Sequence, residues 1–168
     1  MTKTVDTYKG EIENSINLLV NLVEGIPDNQ LYWKPNEQEW SLMEVLAHVE
    51  EVVNYWIAEL EQVISSPGSA WGRGMDAPAR LEAVRNAPNR SFDDVKKGIN
   101  KAKVYTDAAF DRIKEEDLNI VSPHRNPKFG IKPMRFLVDH FLVEHLEKHV
   151  TQVKRVQKQY KERITLKL

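Results

Sequence analysis

Apolar residues recur at steps of three and four along most of the chain, the spacing of one face of an α-helix. Tyr8, Ile12, Ile16, Leu19, Val20 and Val23 form a first stripe, closed by Gly25 and Pro27. A loop through Pro27, Asp28, Asn29 and Pro35 follows. Ser41-Leu42-Met43-Glu44 then reads as a capping box, with Trp40 and Val45 placed for a hydrophobic staple, so a second helix is expected to start near Leu42. Its stripe of Val45, Val49, Val52, Trp56, Leu60 and Val63 ends at Ser65-Ser66-Pro67-Gly68. Residues 68–90 predict a long connection, with at most a short helix after Pro78. Ser91 opens a third helix carrying Val95, Ile99, Ala102, Thr106, Ala109, Phe110 and Ile113. A second loop spans 119–130. Pro133 suits the first turn of a fourth and longest helix, which carries Met134, Val138, Phe141, Leu142, His145, His149, Val153 and Val156 and runs to about Tyr160. No strand alternation stands out. Four amphipathic helices predict an all-α, four-helix bundle forming one domain over residues 1–168, with a long connection between helices two and three.

Composition narrows the chemistry. The 168 residues carry 24 Lys and Arg against 25 Asp and Glu, a net charge of −1, which argues against an extended nucleic-acid footprint. The cations from Lys154 to Lys167 suit the carbonyl end of a helix. A chain of this length buries enough surface to fold without a disulfide or metal, so a metal found in it serves function. Zero cysteines exclude a thiolate nucleophile and a cysteine-based zinc site. Apolar runs of three residues or so are far below the ~20 a membrane span needs, and no secretory signal pattern opens the chain, so a cytoplasmic location is expected.

Three of the five histidines carry the functional signal. His145 and His149, four residues apart, lie roughly 40° from one another on one helix face. They sit inside the apolar stripe with Phe141, Leu142, Gln152 and Val156. His48 aligns with Val45 and Val52 on the second helix and also faces inward. Three buried imidazoles without a shared purpose would each need a separate partner, at about 1–3 kcal/mol for every one left unpaired. Together they can offer three nitrogens to one divalent ion and leave a position open for chemistry. His140 falls about 140° from His145 and points to solvent or a partner chain, so it is excluded as a ligand.

Competing motifs fail. His145-Leu146-Glu147-Lys148-His149 lacks the base of H-E-x-x-H, no histidine has Glu three residues before it, and the seven glycines form no phosphate-binding loop. No general base stands out, and the catalytic residues stay unassigned. Glu44 and Tyr55 lie near the His48 face and Gln152 near His149, but each has a structural role open to it as capping residue, core aromatic or imidazole orienter. Trp33, Trp40, Trp56 and Trp71 are either core or pocket lining.

Trp33-x-Pro35, Glu39-Trp40-Ser41-Leu42-Met43-Glu44-Val45-Leu46-Ala47-His48 and His145-x-x-x-His149-x-x-Gln152 together resemble the DinB-like (DinB/YfiT) superfamily of metal-dependent enzymes, over nearly the whole chain. The resemblance implies a four-helix bundle with His48, His145 and His149 as ligands to zinc or nickel, with iron or manganese as other candidates, often in a homodimer. An outward His140 beside Phe136 fits a dimer face. Relatives include hydrolases, thiol-dependent S-transferases and a thiol-dependent isomerase. The expected partner is a small-molecule substrate, including a low-molecular-weight thiol, and no nucleic acid or membrane. The alternative is a non-catalytic metal-binding or stress-associated bundle.

Overall fold

The computed structural model describes residues 2–167. Its long helices start where side chains can take up the free N–H groups of a first turn. In α1 (Val5–Val23) the Thr4 hydroxyl accepts from the Thr7 amide at 3.1 Å. Gly25, at φ +76°, turns the chain after it. A four-residue helix, α2 (Asp28–Leu31), occupies what the sequence presents as plain loop; it is too short to show periodicity. The capping box of α3 (Leu42–Ser65) forms as predicted, with the Glu44 amide donating to Ser41 Oγ at 3.1 Å and the Ser41 amide to Glu44 Oε2 at 2.7 Å. α5 (Phe92–Phe110) opens on Ser91, whose Oγ accepts from the Asp94 amide. It ends before Ile113, which packs against the core from the following turn.

The last helical stretch begins at α6 (Met134–Phe136), passes through a π-helical segment, Leu137–Val143, and continues as α7 (Glu144–Thr165). Pro133 caps it from outside rather than sitting in its first turn. The wide turn has a packing cause: Leu137 and Val138 are buried, and so are Leu142 and Val143 five residues on, a spacing that i→i+5 geometry brings onto one side. The helix outruns the predicted end at Tyr160 because its last turns are solvated and carry no apolar stripe.

α1 packs on α5 and α7, and α3 packs on the same two, so α1 and α3 stand diagonally across a four-helix bundle. The stripes read from the sequence meet inside it: Tyr8, Ile12, Leu19, Val45, Leu60, Ile99, Leu142 and Val153 are each at most 1% exposed. The predicted absence of strands is corrected by a two-stranded antiparallel hairpin, β1 (Val121–Pro123) with β2 (Ile131–Pro133). Three residues bounded by prolines are too few to display alternation.

The long connection after α3 is stitched to this hairpin. The Trp71 indole N–H donates to the Ser122 carbonyl at 3.0 Å, and the Arg125 amide to the Trp71 carbonyl at 2.7 Å. Gly72 is required there. Its φ is +87°, and an added Cβ would sit 2.0 Å from His124 Nε2. The chain then leads through Met75 into α4 (Pro78–Asn86), which buries none of its residues and lies against α3. Among the described residues, no helix is long and apolar enough to cross a membrane.

Candidate metal centre

α3 supplies His48 two turns beyond its cap, and α7 supplies His145 and His149 from its first two turns, just after the π-helical segment. The adjacency of α3 and α7 in the bundle turns two helix faces into one site. His48 Nε2 lies 3.3 Å from His145 Nε2, and one ring nitrogen of each of the three histidines falls within 4.8 Å of the others. Three nitrogens held ~2.0–2.1 Å from a tetrahedral ion sit roughly 3.3–3.4 Å apart. The closest pair already has that spacing, and the third nitrogen lies within 4.8 Å of both.

Electrostatics keep the rings neutral. Burial, then the other two histidines, pushes His48 down to about 2 from 6.5. Burial, followed by His149, takes His145 down to about 3. His149 is lowered by burial as well. His149 Nδ1 lies 2.8 Å from Gln152 Oε1, so the ring donates from Nδ1 and keeps its lone pair on Nε2. That Nε2 is buried with no hydrogen-bond partner, as is His48 Nδ1. A lone pair kept free inside a core, facing two other imidazoles, is what a cation would satisfy.

The rings open onto a cleft of about 470 Å³ lined also by Gln38, Trp40, Met75, Arg80, Lys148 and Arg155. A larger groove of about 750 Å³ runs between α3 and α4, but its charged side chains, Glu50 with Arg90 and Glu51 with Arg73, already answer one another. Trp40 forms one wall of the cleft, its ring 5.0 Å from that of His48 and stacked at 6.3 Å on that of His149. Trp56 borders a smaller cavity beside His48 and His145. Trp71 is core and Trp33 packs on Tyr160, away from the histidines.

The residues considered as bases resolve into structural roles. Glu44 is spent on the cap of α3 and on Lys34 at 3.3 Å. Tyr55 lies beneath the Arg73 guanidinium, 3.8 Å from the ring centre, in the other groove; burial, then Glu59, raises it to about 12. Glu39 reaches the cleft, but Asn36 and Arg155 hold its carboxylate. His140 stacks on Phe136 at 5.2 Å and pairs with Glu144 at 3.1 Å, outside the cluster. His124 is buried against Trp71, also outside it. Arg80 and Met75 escape a reading of the sequence, because no periodicity connects a loop and a helix without a buried face to a site on two other helices.

Residues 11–153 match the family model of the DinB superfamily. The chain belongs to that superfamily. It is 28% identical over 148 residues to YuaE of Bacillus subtilis strain 168, an uncharacterized protein, covering 81% of this chain and 88% of that one. Among solved structures it resembles YfiT from Bacillus subtilis, described as a probable metal-dependent hydrolase with an unusual four-helix bundle topology. The TM-score is 0.78 at 13% identity, over 94% of this chain and 87% of that one. A Streptococcus pneumoniae protein matches at TM-score 0.69 and 16% identity, over 94% of this chain and 92% of that one. An uncharacterized Clostridium difficile 630 protein matches at 0.69 and 12%, over 94% and 98%. At such identities the likeness concerns the fold.

Proposed function

We propose that the protein is a metal-dependent enzyme in which His48, His145 and His149 hold one divalent cation, zinc or nickel before iron or manganese. One observation carries the reading: three neutral imidazoles converge in a cleft, the His149 Nε2 lone pair without a partner and two Nε2 atoms 3.3 Å apart. The donor set fits a borderline-soft divalent ion and includes no fourth protein ligand among the described residues. A cation bound there acts as a Lewis acid toward a water, a thiol or a carbonyl. The chain's own part is to hold and orient. Gln152 fixes the His149 ring, the bundle core keeps the imidazoles neutral, and Trp40 walls the cleft where a small molecule docks. Hydrolysis and thiol transfer both use such a site, and membership of the superfamily together with the description of YfiT favours hydrolysis.

Elemental analysis of protein purified without chelator or affinity-tag nickel is expected to find about one divalent ion per chain. A content that stays far below one after incubation with zinc, nickel, manganese or iron and dialysis overturns the reading. A bundle that holds the ion without turnover is the second reading, favoured by the engagement of both Glu39 and Glu44 elsewhere. X-ray absorption separates the two: an exchangeable ligand position supports the enzyme, and a closed site with a fourth protein ligand supports the alternative.

A further inference from the structure

Arg80 stands beside the three histidines and has no counter-ion among the described residues. It lines the cleft with His48, His145 and His149 and borders the smaller cavity shared by His48, His145 and Trp56. Its Nη1 donates to the Met75 carbonyl at 2.8 Å, and its guanidinium lies 5.5 Å from the centre of the Trp40 ring. Among the described residues no carboxylate pairs with it. Glu51, whose charge it feels, is taken by a two-pronged bond from Arg73, at 2.6 and 2.5 Å. Its positive charge reaches all three imidazoles and disfavours their protonation. Lys148 adds a second cation at the cleft, while Arg155 is answered by Glu39.

This placement opposes the site it borders. Three neutral imidazoles leave a divalent ion with both of its charges, and a guanidinium close by adds a third, partly sheltered from water. A protein that needed only to retain the ion would place a carboxylate there. The excess is relieved when an anion enters, and the forked, always-charged guanidinium matches a carboxylate or phosphate edge.

We infer that Arg80 selects an anionic substrate: it receives the carboxylate or phosphate group of a small molecule whose reacting atom faces His48, His145 and His149. The inference rests on the proposed metal centre and names the class of substrate that the centre takes. The Trp40 ring adjoins both His48 and the guanidinium, so it offers the apolar body of the molecule a surface between the two ends of the cleft.

The test uses cobalt-loaded protein and two thiols of similar size, 3-mercaptopropionate and neutral 2-mercaptoethanol, with binding read from the thiolate-to-cobalt absorption band and cobalt content measured on the same samples. Wild type is expected to bind the carboxylated thiol about tenfold or more tightly than the neutral one. In Arg80→Leu that ratio falls to about one with cobalt content at or above wild type, and Arg80→Lys keeps part of it. α4 buries no residue, so the melting temperature of the metal-free variants stays near wild type. Acetate and inorganic phosphate as competitors then distinguish the two oxyanions by which displaces the thiol at lower concentration. About one cobalt per chain without the preference, or a preference that survives Arg80→Leu, overturns the role of Arg80 and leaves the metal reading standing. Cobalt far below one per chain overturns both.

Discussion

His48 Nε2 and His145 Nε2 approach to 3.3 Å across 97 residues of chain, and burial keeps both rings neutral at pH 7. The contact joins α3 to α7, and His149 closes it into a cluster of three. Removing one member should disable the cluster. His48→Ala, His145→Ala and His149→Ala are each expected to erase the rise in melting temperature that zinc gives the parent, since that rise comes from binding the folded state alone. His140→Ala, which removes a ring paired with Glu144 outside the cluster, should leave it intact. Parallel melts with and without zinc check both, and a shift lost in His140→Ala but kept in His145→Ala contradicts the site.

Acid should weaken the metal-free protein before its carboxylates titrate. Folded His48 and His145 are held near 2 and 3, whereas in the unfolded chain both titrate near 6.5. Between those limits the unfolded state binds more protons. Stability is therefore full above about pH 7 and is lost as pH falls through 6.5, by about 1.4 kcal/mol per pH unit for each histidine. Metal-free melts from pH 8 to pH 5 should show the decline, and a flat profile would mean the imidazoles are not buried as neutral rings.

Gln152 should matter through His149 alone. Gln152→Leu leaves Nδ1–H without its acceptor, and metal affinity is expected to drop about 10–100-fold. Gln152→Glu keeps an acceptor oxygen and should retain most of it. Competition with a chromophoric chelator measures both, and equal affinity in Gln152→Leu and wild type removes the orienting role.

Glu44 offers a contrast because its carboxylate caps α3 rather than facing the histidines. Glu44→Gln preserves the capping box and should change neither metal content nor melting temperature appreciably. Ser41→Ala should cost about 0.5–2 kcal/mol in denaturant melts with metal content unchanged. Loss of metal from Glu44→Gln would place that carboxylate at the ion.

Gly72 combines a left-handed backbone with the His124 ring pressed against its Cα. Gly72→Ala is expected to cost about 2 kcal/mol or more. Gly25→Ala, at φ +76° with nothing within 4 Å of the added carbon, should cost less. Urea unfolding of the two variants compares them, and equal effects would show that the ring gives way.

What the sequence by itself determined is what repeats along a helix. Stripes, caps and breakers define α1, α3, α5 and α7, because burial on one face of a helix leaves a periodic mark. The i, i+4 pair His145 and His149 is a property of one helix face, and the inward facing of His48 a property of another, so the candidate ligands were legible before any packing was known. Tertiary structure decided the rest. The hairpin of β1 and β2 and the four residues of α2 are shorter than a period. The π-helical turn before His145 answers to the burial of Leu137 and Val138 with Leu142 and Val143, which only the neighbouring helices impose. Whether Glu44 and Tyr55 faced the histidines depended on a cap bond and on a guanidinium stacked over the phenol ring. Arg80 reached the cleft because Trp71 and Gly72 anchor the connection to the hairpin and α4 lies across α3. A helix with no buried face leaves no pattern to read, and the meeting of residues far apart in the chain is a matter of packing.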